Sequence, residues 1–111
     1  FVRSLEHMRT VGIEADRIFV IGGGAESSLW RQIVADASGL PVIRSLSNQA
    51  SALGAGISAA VRHGWYENFA AAARAMTRLA EQVDPDLHTR DDWRALSARQ
   101  GGLYPALHGV I

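Results

Sequence analysis

The stretch RIFVIGGGAESS, residues 17–28, decides how this chain folds. Its apolar part, residues 18–21, is a short run of β-branched and aromatic side chains, which predicts a buried strand. Residues 22–24 are three consecutive glycines and predict a tight turn, because glycine adopts backbone angles that other residues avoid. Ser27 or Ser28 can then cap a helix. A strand, a glycine turn and a helix therefore follow one another directly.

A second strand lies downstream of this helix. The helix is predicted over about residues 28–38, and Gly39 ends it. Residues 42–44 form the next short apolar run, so strands 18–21 and 42–44 flank one helix and are expected to run parallel. The fold class is therefore α/β. Because parallel strands need neighbours, we expect further strands of this sheet to lie outside the 111 residues.

Helices are predicted on either side of this unit. Residues 1–11 have the spacing of an amphipathic helix. Residues 49–62 are rich in Ala, Gly and Ser and predict a thin helix that packs against the β-α-β unit. Gly54 and Gly56 each cost about 1 kcal/mol in a helix interior, so we expect backbone or a ligand to pack closely against them.

The last third of the chain is also predicted to be helical. Asn68 is a candidate cap for an amphipathic helix that runs from Phe69 to about Gln82. A short helix and a packed tail containing residues 103–105 are expected to follow.

Composition excludes several classes of function. The chain has 11 basic and 11 acidic residues, so its net charge is zero, which argues against nucleic-acid binding. Every basic residue is Arg, which excludes a P-loop Lys or a Schiff-base Lys. The absence of Cys excludes thiolate chemistry and is typical of a cytoplasmic protein. No apolar run is long enough for a membrane span, so we expect no membrane partner.

The glycine turn is the feature with the clearest chemical use. Glycine lets a ligand approach the backbone, and the next helix N-terminus presents free N–H groups to it. A dinucleotide-binding turn would have a third Gly where Ser27 stands, although Arg44 is placed to meet a 2′-phosphate, so a dehydrogenase half stays open. Ser27 or Ser28 with His63 and an Asp could be imagined as a hydrolase triad, but the chain lacks the G-x-S-x-G elbow. The His and Asp residues also lack the spacing of metal ligands. We expect no metal ligand here.

A family resemblance narrows these alternatives. Residues 22–36 read GGGAESSLWRQIVAD, residues 39–42 read GLPV, and residues 52–55 read ALGA. In this order and spacing they resemble the C-terminal signature of the FGGY carbohydrate kinases, nearest to xylulokinases. The resemblance continues through Asn68 to residues 103–105, so it covers nearly the whole chain. Gln49 and His88 depart from residues common in relatives.

The resemblance implies an actin-like fold of two ribonuclease-H-like domains, with ATP, Mg²⁺ and a sugar in the cleft between them. It implies that the chain, residues 1–111, is the C-terminal portion of the second domain of a cytoplasmic kinase acting on a ketose such as D-xylulose. The catalytic Asp, the sugar-binding residues and the first phosphate loop would all precede this segment, so the segment alone is expected to be inactive. The resemblance also allows a homodimer.

The resemblance assigns a nucleotide-binding role to five residues. It places the backbone of Gly23, Gly24 and Ala25 against the nucleotide and Ser28 near the adenine, with Ser27 as a weaker candidate. It assigns no catalytic residue to this chain. The alternative of a different class is a non-catalytic nucleotide-binding or interaction module of the actin-like superfamily.

Overall fold

A computed structural model describes residues 1–109 of the chain. These residues form five α-helices, three strands and two single turns of 3-10 helix. In chain order they are α1 (Val2–Thr10), β1 (Ile18–Val20), the first 3-10 turn (Gly23–Glu26), α2 (Ser28–Ser38), β2 (Val42–Ser45), α3 (Ala50–Arg62), α4 (Phe69–Met76), β3 (Leu79–Val83), the second 3-10 turn (Leu87–Thr89) and α5 (Arg90–Leu107).

The sheet has the order β1-β2-β3. Strands β1 and β2 are parallel, with Ile18 opposite Val42 and Val20 opposite Arg44. The predicted β-α-β unit is therefore confirmed, with α2 as its connecting helix. Strand β3 adds to the other side of β2 and is antiparallel to it, with Val83 opposite Val42. The α/β fold class predicted from the sequence is thus the one observed.

Strand β3 corrects one prediction. The helix that begins at Phe69 was predicted to reach about Gln82, and this is wrong, because α4 ends at Met76. Thr77 has extended backbone angles (φ −91°, ψ 131°), and residues 79–83 pair with β2. The interstrand hydrogen bonds outweigh the local helix preference of these residues. Strand β3, which the sequence analysis did not predict, therefore gives β2 a second neighbour within the chain.

The core lies between α2 and the sheet. Val34 and Ala35 of α2 pack on Val42 of β2, which is completely buried. Side chains from both outer strands pack around this contact: Ile18 and Val20 from β1, and Val83 from β3. Each buried aliphatic side chain of this kind contributes about 1.5–3 kcal/mol to stability. The core thus holds the three strands to one helix.

Helix α3 packs mainly on α4 rather than on the β-α-β unit, which differs from the prediction. A Cβ added at Gly56 would lie 3.6 Å from Cε of Met76, so the expected close packing is confirmed at this glycine. A Cβ added at Gly54 would meet nothing within 4 Å outside the helix backbone. The Asn68 cap is confirmed, since its Oδ1 accepts a hydrogen bond from the amide of Ala71 at 2.9 Å.

Helix α5 is longer than the short helix that we predicted. It has 18 residues and continues through Gly101, Gly102 and Pro105. Its first half packs on α2, and this tertiary contact supports the helix against its own weak local preference.

The described chain is elongated. Its extents are 55 × 33 × 27 Å and its radius of gyration is 17.9 Å, whereas a compact domain of this length has a radius of about 13 Å. Large apolar side chains remain at the surface, among them Phe19 on the free edge strand β1, which is 54% exposed. None of the helices within residues 1–109 is long and apolar enough to cross a membrane.

Candidate functional site

The glycine turn lies between the carboxyl end of β1 and the N-terminus of α2. Gly22 has φ 83° and ψ −172°, a backbone region that residues with a Cβ rarely enter. Gly23–Glu26 then form a single 3-10 turn, at the place where the sequence predicts a tight turn. The amide of Ala25 donates to the carbonyl of Gly22 at 3.0 Å and closes it. Glycine is therefore required by the backbone at Gly22.

Gly23 and Gly24 have no such backbone requirement, because neither has a positive φ. A Cβ added at Gly23 would meet nothing within 4 Å. A Cβ added at Gly24 would lie 3.5 Å from the indole of Trp30. The space above Gly23 is thus open to a ligand, while the space above Gly24 is partly taken by a side chain of α2.

The two predicted serines have different roles. The Oγ of Ser27 accepts a hydrogen bond from the amide of Trp30 at 3.2 Å, so Ser27 is the N-cap of α2. Ser28 is the first residue of α2 and is exposed. The first amides of a helix lack partners within it and attract polar or negative groups. Ser28 therefore lies exposed at the N-terminus of α2, close in sequence to the glycine turn.

Ala25 is the buried residue of the glycine turn. It is only 4% exposed, and its carbonyl accepts a hydrogen bond from Nη1 of Arg31. The prediction placed Ala25 against a ligand together with the two glycines and the two serines. Its burial leaves it little surface, whereas Gly23, Gly24, Ser27 and Ser28 are all exposed.

A network of four charged side chains lies under the turn. Nη2 of Arg31 donates to Oε2 of Glu81 on β3 at 2.9 Å. Nη1 of Arg44 on β2 lies 3.2 Å from each carboxylate oxygen of Glu26, and its Nε lies 3.9 Å from Oε2 of Glu81. Two positive charges face two negative charges, so the network is neutral as a whole. It therefore offers no unpaired cation to a phosphate.

No pattern in the sequence indicates this network. Arg31, Glu26 and Glu81 had no predicted role, and Arg44 was considered only as a partner for a 2′-phosphate. Nη1 of Arg44 contacts Glu26 and its Nε faces Glu81. These contacts do not favour binding of a 2′-phosphate by Arg44. The Nε atoms of Arg31 and Arg44 are buried and have no hydrogen-bond partner among the described residues. An unsatisfied buried donor costs about 1–3 kcal/mol.

Other candidate chemistry is not assembled in the described chain. Within residues 1–109, no group of three His, Asp or Glu side chains is arranged to hold a metal ion. The ring of His63 lies 6.0 Å from that of Trp65, and the described contacts do not join His63 to either predicted serine. The hydrogen bond from Arg17 lowers the pKa of Asp16, but this exposed pair precedes β1 and lies outside the network.

Two grooves of about 480 Å³ lie elsewhere on the surface. One is bordered by α1, the C-terminal end of α2 and α5, and it contains Arg3, Arg9 and Arg90. The other is largely apolar and runs along the free edge of β1, beside Phe19 and Trp30. Neither groove includes the glycines of the turn. The exposed residues of the candidate site, Gly23, Gly24, Ser27 and Ser28, thus lie outside both grooves.

Comparison with known proteins gives a consistent result. Residues 1–63 match the model of the C-terminal domain of the FGGY family of carbohydrate kinases. The autoinducer-2 kinase of Escherichia coli K12 is 36% identical over 105 residues, and the match covers 88% of this chain and 19% of that protein. The autoinducer-2 kinase of Yersinia enterocolitica is 31% identical over 93 residues, which are 84% of this chain and 18% of that protein.

Solved structures show the same likeness. The xylulose kinase of Rhodospirillum rubrum superposes with a TM-score of 0.82 at 27% identity, covering 99% of this chain and 22% of that protein. The gluconate kinase of Lactobacillus acidophilus gives a TM-score of 0.80 at 17% identity, covering 88% and 20%. The chain thus spans about a fifth of the length of these relatives.

The different demands on Gly22 and Gly23 give a testable prediction. We expect Gly22→Ala to lower the free energy of unfolding by about 1–3 kcal/mol, because alanine is strained at the φ and ψ of this residue. Gly23→Ala is the matched control and should change it by less than about 0.5 kcal/mol, since the added methyl group meets nothing. Denaturant titration of the full-length protein measures both. Equal losses would contradict the described turn geometry.

Proposed function

This chain belongs to the FGGY family of carbohydrate kinases, and we propose that it is part of an enzyme that transfers the γ-phosphoryl group of ATP to a sugar. The observation that carries the proposal is the match of the glycine turn and its flanking elements to this family, in both sequence and fold. We propose that residues 1–111 are the C-terminal portion of the second domain, as the resemblance implied.

The exposed apolar surface supports this position in a larger protein. Strand β1 has a free edge, and the groove beside it is lined by apolar side chains from β1, α2 and α5, including Val20, Ile33 and Leu96. An unpaired strand edge and a large apolar surface are unfavourable in water unless something covers them. Other strands and helices of the same domain would cover this edge and complete the sheet.

We propose that the turn binds the adenosine end of ATP. The open space above Gly23 lets a flat, uncharged group approach the backbone, and Ser28 with the first amides of α2 supplies polar contacts at its rim. The neutral charge network below favours adenosine over the triphosphate at this place. We therefore propose that adenosine contacts the backbone of Gly23 and Gly24 and the side chains of Ser27 and Ser28.

The remaining chemistry is assigned to other parts of the protein. Phosphoryl transfer depends on positioning and charge stabilisation around the γ-phosphate and on a base that accepts the proton of the sugar hydroxyl. Mg²⁺ would bind the phosphates, and the described residues form no cluster that would hold it. The contribution of this chain is to bind and orient the nucleotide.

The proposal for the second substrate is a sugar or a related compound, without a choice of one molecule. The names of the relatives give three candidates: autoinducer-2, xylulose and gluconate. D-Xylulose was the expectation from sequence, and the solved xylulose kinase superposes over nearly the whole chain. Autoinducer-2 is favoured by a separate observation, the higher identity of the kinases that act on it.

An activity assay tests the proposed function. We expect the full-length protein to release ADP from ATP and Mg²⁺ only when one of these three compounds, or a related sugar, is added. Residues 1–111 alone should show no release above the background without sugar, because the general base and the γ-phosphate contacts are absent. Binding of ATP by the full-length protein without turnover on any sugar would support the non-catalytic alternative instead.

The proposed adenosine contact predicts a ligand-specific effect of Gly23→Val. A valine here would fill the space above the turn. We therefore expect ATP to bind at least about tenfold more weakly, which corresponds to a loss of about 1.4 kcal/mol in binding free energy. The sugar affinity should stay within about twofold. Isothermal titration calorimetry of the full-length protein with each ligand separately measures both affinities.

Gly102→Val is the control for this substitution, because Gly102 is also exposed and a Cβ added there meets nothing within 4 Å. It should leave the ATP affinity unchanged. Gly24→Val is a less specific test, because its side chain would also meet Trp30. Equal weakening of ATP and sugar binding by Gly23→Val would contradict the proposed contact.

A further inference from the structure

The guanidinium of Arg31 connects three parts of the fold. Arg31 lies in the first turn of α2 and is only 6% exposed, which is rare for a charged side chain. Its Nη1 donates back to the carbonyl of Ala25, six residues earlier, and its Nη2 donates to the carboxylate of Glu81, fifty residues later. One side chain therefore links α2, the glycine turn and β3.

A second arginine holds the next residue of the turn. Arg44 on β2 is bonded through Nη1 to the carboxylate of Glu26, and its Nε faces Glu81. Glu81 thus lies between the two guanidinium groups. The turn is held at Ala25 through its backbone and at Glu26 through its side chain, at two consecutive positions.

The turn has few other contacts that would keep it in place. Residues 22–24 have no side chains to pack, and the backbone hydrogen bond from Ser27 to Gly24 is long, at 3.4 Å. Gly23 and Gly24 are exposed, and among the described residues only the indole of Trp30 lies close to where a Cβ of Gly24 would be. The position of the turn therefore depends on contacts from below, where Arg31 and Arg44 lie.

We propose that Arg31 is a positioning residue for nucleotide binding, acting through the carbonyl of Ala25, with Glu81 and the Arg44–Glu26 pair completing the support. This assignment rests on the proposed adenosine site. Arg31 is buried beneath the turn and makes no contact with the nucleotide itself. Its function is to keep the backbone of Gly23 and Gly24 at the height and orientation that the ligand needs.

The test replaces Arg31 in the full-length protein and measures ATP and sugar binding separately by calorimetry. Arg31→Met keeps the length of the side chain but removes both donors. We expect it to weaken ATP binding about tenfold, because the charge-assisted bond that holds the carbonyl of Ala25 is lost together with the bond to Glu81. The sugar affinity should stay within about twofold. Arg31→Lys keeps the charge but has a single donating nitrogen in place of the two Nη atoms, so it should recover part of the ATP affinity.

Matched variants separate this role from general stability. Arg17→Met removes an exposed guanidinium that pairs with Asp16 and should leave the ATP affinity unchanged. Glu26→Gln weakens only the second support and keeps Arg31 paired. It should lower the ATP affinity by a smaller factor, and it remains informative if Arg31→Met does not fold.

The outcomes distinguish this inference from the proposed function. Selective loss of ATP affinity in Arg31→Met and Glu26→Gln, with partial recovery in Arg31→Lys, supports the positioning role. Folded variants that bind ATP like the wild type, or that lose ATP and sugar affinity equally, overturn it while the proposed function stands. A wild-type protein that binds no ATP would overturn the proposed function, and the positioning role with it.

Discussion

The buried charge of Arg31 is the constraint on which the structure around the glycine turn depends. A guanidinium removed from water is strongly destabilising unless it is paired and hydrogen-bonded. Arg31 meets most of this requirement, since Nη1 donates to the carbonyl of Ala25 and Nη2 to the carboxylate of Glu81, while Nε has no partner among the described residues. The turn and β3 must therefore both be in place for α2 to pack on the sheet, and this couples a local turn to a strand that lies far away in sequence.

This coupling explains how a segment with little apolar core can present a defined surface. The buried core is small and centred on Val42, and many apolar side chains remain exposed. The charge network supplements that core at the end of the sheet where the turn lies. Because its charges balance, the network supports the turn without placing a net charge beside it. The neutral network is consistent with the proposed nucleoside contact above Gly23, while the N-terminus of α2 at the rim can accept a polar or negative group.

The elements with local sequence signals were predicted well, whereas those set by distant contacts were not. The strand at residues 18–20, the Ser27 cap and the end of α2 at Gly39 follow from short apolar runs, capping residues and glycine. Residues 79–83 contain good helix formers, and only their pairing with β2 makes them a strand. The sequence also indicated the glycine turn, but Arg31 and Glu81 are fifty residues apart, so no local pattern could reveal their contact.

Hydrogen exchange at the turn tests the central claim most directly, since it reports on the backbone that is proposed to contact the nucleotide. The measurement compares amide exchange at residues 22–28 in the full-length protein alone, with ATP and with sugar alone. The account predicts that ATP slows exchange at Gly23, Gly24 and Ser28, and that sugar alone leaves it unchanged. If saturating ATP slows exchange only in other segments and leaves these three amides as they were, the turn does not bind the nucleotide.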